Sequence, residues 1–285
     1  MVDLLNPGTE QVKKVVSHSV TQFKSMWISD VHLGTEECRA SRLLDLLRLT
    51  DSESLYLVGD IIDSWELKRR WYWDQSHNEV VQAIFAKANA GTRVVFIPGN
   101  HDAPFRKFIM LDLAGIQIRD ELVHVTAQGK RMLVSHGDRF DGAVRKAGWL
   151  RCCSTAWAPR VLKMLQWLNN WRGRTGLPYW SLSHSVDIRS KTSSAYLLRF
   201  ENVLTQEAKQ KGLDGVICGH THQPAMHQVD GVLYCNAGDW MEHQSALVED
   251  FTGALQLITW HDIILQSDRN ALREQRGAED LAVSD

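Results

Sequence analysis

Three apolar runs among the first 102 residues each end in a polar cluster, and this arrangement limits the possible folds more than any other feature of the chain. The polar clusters are SDVHLG, GD and PGNHD. Two segments with helical spacing of apolar residues separate the runs, RASRLLDLLRLT and NEVVQAIFAKANAG. Strands that alternate with helices predict a sheet of parallel strands with both faces buried.

The second half of the chain predicts more strands. Residues 116–138 have the pattern of short strands around a Gly-Lys turn, and residues 213–240 have the pattern of three further strands. SALVED and GALQLITW complete this group, which we expect to form a second sheet packed on the first. Between the two groups, residues 142–210 have a helical pattern and contain five of the eleven tryptophans. This composition predicts a helical cap inserted into an α/β core.

The chain therefore divides into a core, a cap and two tails. The tails are polar and weakly patterned, as expected of poorly ordered ends. The predicted boundaries are an N-terminal tail at 1–22, a core at 23–141 and 211–262, the Trp-rich cap at 142–210, and a C-terminal tail at 263–285.

Charge and cysteine content restrict the partners and the compartment. The formal net charge is -2, so the chain lacks the basic surplus of a nucleic-acid binder and no nucleic-acid partner is expected. Five cysteines make an odd number without CxxC spacing, and no N-terminal signal segment precedes them, which indicates a reducing, cytoplasmic setting. No apolar stretch reaches the roughly 18 residues that a spanning helix needs.

The polar clusters supply candidate metal ligands at the carboxyl ends of the predicted strands, where open α/β sheets bind their ligands. Carboxylate and imidazole groups together suit Mn²⁺, Fe²⁺ or Zn²⁺ better than Ca²⁺. Seven ligands are more than one tetrahedral ion uses, so we expect two ions that share a carboxylate. The seven candidates are Asp30, His32, Asp60, Asn100, His136, His220 and His222.

The spacing within two of the motifs has a geometric interpretation. In an extended segment residues i and i+2 point to the same side, which predicts that Asp30 converges with His32, and His220 with His222. Glycines at 59, 99, 137 and 219 are expected to let these side chains approach one another without a Cβ clash. Each motif alone has a plainer interpretation as a turn, a helix cap or a satisfied core histidine. The metal interpretation depends on their joint occurrence, each after a strand.

The series SDVH, GDIID, GNHD, SHGD and GHTH resembles the calcineurin-like metallophosphoesterase superfamily, from about residue 25 to residue 240. The resemblance implies an α/β (α+β) fold, a four-layer αββα sandwich of two mixed sheets flanked by helices, with a dinuclear metal site. It also implies which residues form each half of that site. One ion is expected on Asp30, His32 and His222, the other on Asn100, His136 and His220, with Asp60 between them. His101 is then the catalytic imidazole that faces the substrate phosphate, and Asp63 orients it.

A narrower resemblance is to the UDP-2,3-diacylglucosamine pyrophosphatase branch. It rests on GHTHQPAMH, on Gly-Asp-Trp at 238–240, on Trp65 and on the helical insertion. It implies hydrolysis of the diphosphate of UDP-2,3-diacylglucosamine to UMP and 2,3-diacylglucosamine 1-phosphate in lipid A biosynthesis, with Mn²⁺ as the first choice of metal. It also implies peripheral contact of the cap with the cytoplasmic face of an inner membrane. The best-known members of this branch carry arginine at the position of His101.

Further candidates lie near the mouth of the predicted site. A basic, aromatic loop follows the second motif, and its alternative interpretation is a solvated surface loop. The candidate substrate-binding residues are Trp65, Lys68, Arg69, Arg70, Trp71 and Asp138.

Two alternative functions remain open at this point. The first is a metal-dependent phosphodiesterase or phosphatase acting on another nucleotide or phospholipid. The second is a non-enzymatic scaffold of the same fold that uses the cap to bind a partner. The cap segment itself has the alternative interpretation of an ordinary amphipathic core helix.

Overall fold

The computed structural model describes residues 20–144 and 194–270, which form two β-sheets and the helices that cover them. The strands in chain order are β1 (Thr21–Ile28), β2 (Thr50–Val58), β3 (Arg93–Ile97), β4 (Asp112–Leu113), β5 (Ile116–Ile118), β6 (Leu122–Val125), β7 (Arg131–Val134), β8 (Gly215–Cys218), β9 (Ala225–Val229), β10 (Val232–Asn236), β11 (Ser245–Glu249) and β12 (Leu255–Thr259). The main helices are α1 (Ala40–Leu49), α2 (Ser64–Arg69), α3 (Gln75–Asn89) and α4 (Ser194–Gln210), with short 3₁₀ turns at Ala103–Phe108 and Asp138–Phe140. Residues 260–270 are also helical.

Both sheets are mixed. The first has the strand order β12-β11-β1-β2-β3-β5-β4 and the second has the order β6-β7-β8-β10-β9. Strands β1, β2, β3 and β5 are parallel to one another, as are β7, β8 and β10, whereas the outer strands of each sheet pair antiparallel. The parallel strands therefore form the centre of each sheet, and their carboxyl ends lie along one edge.

Alternate residues of the central strands enter different apolar layers, because successive side chains of a strand point to opposite faces. In β1, Met26 and Ile28 pack on the helix side, whereas Trp27 lies between the sheets. In β7, Leu133 faces α4, whereas Met132 and Val134 lie between the sheets. Burial on both faces explains why these strands appear in the sequence as continuous apolar runs.

Helices cover the outer face of each sheet. The buried leucines of α1 and the apolar side of α3 pack on the first sheet. On the second sheet, α4 buries Phe200, Leu204 and Ala208 against strands β8 and β10. The order helix, sheet, sheet, helix confirms the four-layer sandwich predicted from the sequence.

The expected membership of the second sheet is wrong for the last two strands. SALVED and GALQLITW form β11 and β12, which extend the first sheet through antiparallel pairing of β11 with β1. Residues 116–118, expected with the same group, form β5 and pair with β3. Hydrophobic patterns identify strands but not their partners, because pairing joins residues more than 200 positions apart, such as Ser25 and Glu249.

Two described segments differ from what the predicted domain division implies for them. Helix α4 falls within the predicted cap, yet it packs on the second sheet as part of the core. Residues 260–270 are helical. Ile263, at the start of the predicted C-terminal tail, is buried in the apolar layer between the first sheet and its helices. Residues 145–193 of the predicted cap lie outside the described residues, so the cap stays a prediction.

Within residues 20–144 and 194–270, no helix combines the length and the apolar content required to cross a membrane.

Candidate metal centre

The predicted ligands all lie just beyond the carboxyl ends of parallel strands. Asp30 and His32 follow β1, Asp60 follows β2, and Asn100 follows β3. From the second sheet, His136 follows β7, and His220 and His222 follow β8. Because the sheets pack face to face, the two sets of loops meet at one edge of the sandwich. The described residues contain three groups that could hold a metal ion. Two consist only of predicted ligands, and the third joins His32 to Asp63 and His101.

The first group consists of Asp30, His32 and His222. One potential ligand atom from each lies within 4.8 Å of the other two. Nε2 of His222 is 3.2 Å from Oδ1 of Asp30, and the backbone N–H of His220 donates to the same carboxylate. Burial alone would raise the pKa of Asp30, but His222 lowers it to about 2. Asp30 is therefore a buried, ionised carboxylate.

The second group consists of Asp60, His136 and His220, again with ligand atoms within 4.8 Å of one another. Nδ1 of His136 lies 2.9 Å from the carbonyl oxygen of Val58, so Nδ1–H donates, and in the neutral ring Nε2 carries the lone pair. Nε2 lies 3.3 Å from Oδ2 of Asp60. Although burial acts in the opposite direction, Asp60 raises the pKa of His136 to about 10. This buried negative charge attracts a proton or, equally, a metal cation.

The residues present fit a bound cation. Nδ1 of His32 lies 2.9 Å from Oδ2 of Asp63, which accepts a hydrogen bond from Nδ1–H and leaves the lone pair on Nε2. Among the described residues, buried Nε2 of His32 and buried Oδ1 of Asn100 have no hydrogen-bond partner. Buried polar atoms without partners are costly, and a bound ion is one of the few reasons for them. Imidazole, amide and carboxylate donors in this mixture suit a divalent ion such as Mn²⁺, Fe²⁺ or Zn²⁺.

The backbone at these positions is left-handed rather than extended. Asp30, His32 and Asp60 have φ of 51°, 54° and 54°, and His220 and His222 have φ of 70° and 57°. The expectation that residues i and i+2 converge because the chain is extended is therefore wrong. Non-glycine residues with positive φ are uncommon, and such strain is found at functional sites. Tight turns aim these five side chains at the site.

Two glycines permit the close approach of the loops, as expected from the sequence. A Cβ at Gly99 would lie 2.2 Å from Oδ1 of Asp60, and a Cβ at Gly59 would lie 2.2 Å from the ring of His136. Gly59 also has a φ of +80°, which favours glycine. Any larger residue at position 99 would displace the Asp60 carboxylate.

Asp63 contacts two histidines and one helix. Its Oδ2 lies 2.9 Å from Nδ1 of His32 and 2.8 Å from Nδ1 of His101. Its Oδ1 accepts the backbone N–H groups of Trp65 and Glu66 and so caps α2. Burial would raise the pKa of Asp63, but the contacts with His101 and His32 hold it far below its ordinary value. The carboxylate is ionised and holds both imidazoles in place.

His101 is held through both its side chain and its backbone. Its backbone N–H donates to Oδ1 of Asp60 at 2.8 Å. The ring of Trp65 lies over the imidazole, with centroids 4.2 Å apart, and Trp65 is 49% exposed. The imidazole is thus fixed from two sides and lies under an aromatic group that solvent can reach.

Asp102, whose role the sequence left open, joins two loops of the site. Its carboxylate accepts the backbone N–H groups of Ile61 at 3.0 Å, Ile62 at 2.8 Å and Gly99 at 3.2 Å. Burial and the nearby Asp60 raise the pKa of Asp102 to about 7. Its contacts are those of a structural tie between the second and third motifs.

Four other substrate-binding candidates, in α2 and just after it, lie on the surface. Arg69 pairs with Glu66 and Arg70 pairs with Glu36, and both guanidinium groups remain largely exposed. Lys68 is exposed, and Trp71 is 75% exposed. Their role in substrate binding stays a prediction.

Asp138 is already engaged by a cation that the sequence did not indicate. Nη2 of Arg106 lies 2.9 Å and 2.7 Å from the two oxygens of Asp138 and also donates to the carbonyl of Pro98. Any contact of Asp138 with substrate would have to share the carboxylate with Arg106.

Two further residues at the site were not predicted. Oδ1 of Asp141 lies 2.9 Å from Nε2 of His220 and accepts a hydrogen bond from the hydroxyl of Tyr196 at 2.6 Å. Asp141 and Tyr196 are 55 positions apart, and neither belongs to a recognisable motif. Only the folded chain brings them to the same histidine.

The fold and the two donor groups define an α/β sandwich with a site for divalent metal ions at its strand ends. The sequence model of the calcineurin-like phosphoesterases matches residues 23–224, and the chain belongs to that family. It is a phosphoester hydrolase, which removes the hypothesis of a non-enzymatic scaffold.

Two relatives align with this chain over most of their own length. A UDP-2,3-diacylglucosamine hydrolase of Xanthomonas campestris pv. campestris is 27% identical over 253 residues, which is 80% of this chain and 96% of that protein. An enzyme of the same name from Pseudomonas aeruginosa is 27% identical over 251 residues, covering 81% and 97%. Among solved structures, the phosphoesterase Yfce from E. coli is 16% identical with a TM-score of 0.44, covering 84% of this chain and 93% of that one.

Proposed function

We propose that this hydrolase cleaves the diphosphate of UDP-2,3-diacylglucosamine to give UMP and 2,3-diacylglucosamine 1-phosphate, a step in lipid A biosynthesis. The observation that carries the proposal is the pair of buried donor groups at one edge of the sandwich, beside a fixed imidazole. The shared name of two relatives that align over 96% and 97% of their length supports the choice of substrate.

The proposed centre holds two divalent ions, Mn²⁺ by preference. Asp30, His32 and His222 would hold one ion, and Asn100, His136 and His220 the other, with the Asp60 carboxylate between them. When bound, such ions polarise phosphoryl oxygens and lower the pKa of a bound water, which generates a nucleophile at neutral pH.

The catalytic imidazole in this proposal is His101. Asp63 holds Nδ1 of His101 at 2.8 Å, which keeps the proton on that nitrogen and directs the other nitrogen away from Asp63. When Nε2 is protonated as well, the imidazolium of His101 can stabilise negative charge on the phosphoryl group or donate the Nε2 proton to the leaving oxygen, contributions of about 10²–10⁴ in rate. Trp65, whose ring contacts His101 and is half exposed, is suited to contact the uracil or sugar ring of the substrate.

The substrate also explains the surroundings of the site. Lys68, Arg69 and Arg70 supply cations for a diphosphate beside His101. The Trp-rich segment at 142–210 would receive acyl chains or contact a membrane peripherally, because aromatic and basic side chains together suit the interface. We therefore propose a cytoplasmic protein that works at the cytoplasmic face of an inner membrane.

A substrate panel tests this function. The Mn²⁺-loaded protein is incubated with UDP-2,3-diacylglucosamine, with UDP-N-acetylglucosamine and with a generic aryl phosphodiester, and UMP or phenol release is measured. We expect UMP from the diacylated substrate, a much lower kcat/KM without acyl chains, and loss of turnover in His101→Gln. Absence of UMP from the diacylated substrate would reject the proposal.

The second candidate is a metal-dependent phosphodiesterase that acts on another nucleotide or on a phospholipid. His101 favours it, because the best-known diacylglucosamine enzymes resembled by this chain carry arginine there. Equal rates on the generic diester with and without detergent, together with no dependence on acyl chains, would support this candidate.

A further inference from the structure

The imidazole of His220 is held by a carboxylate that lies outside the two donor groups. Oδ1 of Asp141 is 2.9 Å from Nε2 of His220, and the hydroxyl of Tyr196 donates to the same oxygen at 2.6 Å. The side chain of His220 is 1% exposed and that of Asp141 is 24% exposed. An ionised carboxylate only accepts hydrogen bonds, so the proton of the imidazole must lie on Nε2.

The same helix that supplies Tyr196 also supplies an aromatic wall for His220. Tyr196 stacks on Phe200 with ring centroids 6.1 Å apart, and Phe200 lies 5.7 Å from the ring of His220. Both aromatic residues are buried in the core layer between α4 and the second sheet. Helix α4 therefore fixes the plane of His220 by packing, and fixes its hydrogen-bond partner through the Tyr196 hydroxyl.

The two residues also bracket one stretch of chain. Asp141 lies just before residues 145–193, and Tyr196 lies just after them. The two described flanks of that stretch are thus joined through one carboxylate oxygen, which in turn contacts His220. A displacement of either flank would move the partner of a candidate metal ligand.

We propose that Asp141, held by Tyr196, is a positioning residue that sets the tautomer and orientation of His220 for metal binding. The inference rests on the two-ion centre of the proposed function. With its proton on Nε2, His220 binds an ion through Nδ1. A carboxylate that accepts the other ring proton makes the histidine a better ligand, and loss of such partners commonly weakens metal binding by about 10–100-fold.

The test measures Mn²⁺ affinity of the full-length protein directly, from the electron paramagnetic resonance signal of free Mn²⁺ during titration. We expect wild type to bind two ions. Asp141→Ala should lower the affinity for one of the two ions by about 10–100-fold. Asp141→Asn keeps an acceptor without the charge and should recover part of the loss, and Tyr196→Phe should weaken the same ion by less than Asp141→Ala.

Tyr72→Phe is the matched control, because the Tyr72 hydroxyl also donates to a carboxylate, that of Asp74, at 3.2 Å, but on the surface. Its affinities should equal those of wild type. Thermal unfolding in chelator tests whether each variant folds, and if Asp141→Ala does not, the milder Tyr196→Phe and Asp141→Asn decide.

Two outcomes separate this inference from the proposed function. Two ions bound with wild-type affinity in the folded Asp141 and Tyr196 variants would overturn the positioning role and leave the two-ion centre standing. Fewer than two ions in wild type would overturn both.

Discussion

Two buried clusters of histidine and carboxylate occur in this sandwich, and they differ in how their polar atoms are satisfied. Between the sheets, Nδ1 of His124 lies 3.0 Å from the hydroxyl of Tyr56 and Nε2 lies 2.8 Å from Oε2 of Glu249. The second oxygen of Glu249 accepts the backbone N–H of Ala127 at 2.7 Å. At the strand ends, by contrast, Nε2 of His32 and Oδ1 of Asn100 have no partner among the described residues.

The two clusters also differ in backbone conformation. Tyr56, His124 and Glu249 lie within regular strands. At the strand ends the backbones of Asp30 and His32, like three other candidate ligands, have positive φ. Complete hydrogen bonding on regular backbone marks a structural cluster, whereas missing partners on strained backbone mark a ligand site. Composition alone would not separate them.

The largest expected effect is that of Asp60→Asn at the strand ends. Asp60 belongs to the second donor group, is proposed to lie between the two ions, and also accepts the backbone N–H of His101. Turnover should fall by more than the roughly 10²–10⁴ attributed to a single acid–base group, and bound metal should be lost on dialysis. Metal analysis and the hydrolysis rate measure both effects.

Asp250→Asn is the control for that variant. Its carboxylate also accepts backbone N–H groups, but it follows β11, whose antiparallel register with β1 places it at the opposite edge of the sheet. Wild-type metal content in Asp60→Asn would contradict the bridging position.

The next effect concerns His101, which separates catalysis from metal binding. In His101→Gln the backbone N–H to Asp60 persists, so metal content should stay at the wild-type value while kcat falls by about 10²–10⁴. His227→Gln, which removes an exposed imidazole 3.2 Å from Glu201, should change neither quantity. Equal loss of metal and turnover in His101→Gln would instead make His101 a ligand.

Substitution of Glu249, between the sheets, should lower stability and leave turnover unchanged. Glu249→Leu removes the acceptor of both His124 and Ala127, and each buried group left without a partner costs about 1–3 kcal/mol of unfolding free energy. Urea unfolding measures that loss. Because Glu249 pairs with Ser25 in the middle of β1, away from the candidate metal centre, kcat at a temperature where the variant is folded should match wild type. A fall in kcat without loss of stability would show coupling between the clusters.

The smallest effect is a pH dependence of stability from the same cluster. Burial lowers the pKa of His124 below its ordinary value of 6.5, although Glu249 acts in the opposite direction. The unfolded chain then binds a proton on His124 more readily than the folded chain does. The contribution of neutral His124 to the free energy of unfolding is therefore complete above pH 6.5 and is lost as pH falls through the lower pKa of the folded state.

Urea midpoints between pH 5 and pH 8 measure this contribution as the difference between wild type and His124→Gln. The variant should lose less stability than wild type as the pH falls. Parallel curves for the two proteins would mean that His124 does not titrate in this range.

Much of the fold followed from local patterns. The three first strands and helices α1 and α3 were predicted within a few residues, because buried parallel strands and amphipathic helices leave regular apolar spacing. The places of β11 and β12 in the first sheet were not predicted, since both faces of β11 are buried and its pattern is the same beside any neighbour. Strand partners depend on contacts between distant parts of the chain.

The site divides in a similar way. Five short motifs predicted the residue types of the candidate metal ligands and their position after strands. The reason for their convergence was not, because left-handed turns at Asp30 and His220 cannot be distinguished from extended chain by residue type.

The sequence by itself determined the α/β class, the kinds of donor atoms and the edge of the sheet at which they lie. Only the tertiary structure decided that Asp63 contacts both His32 and His101. It also decided that Arg106 forms an ion pair with Asp138, and that Asp141, hydrogen-bonded by Tyr196, contacts His220. The physical reason is range: apolar periodicity and turn chemistry act between near neighbours, whereas a hydrogen bond depends on ångström distances between residues that only the packed sheets bring together.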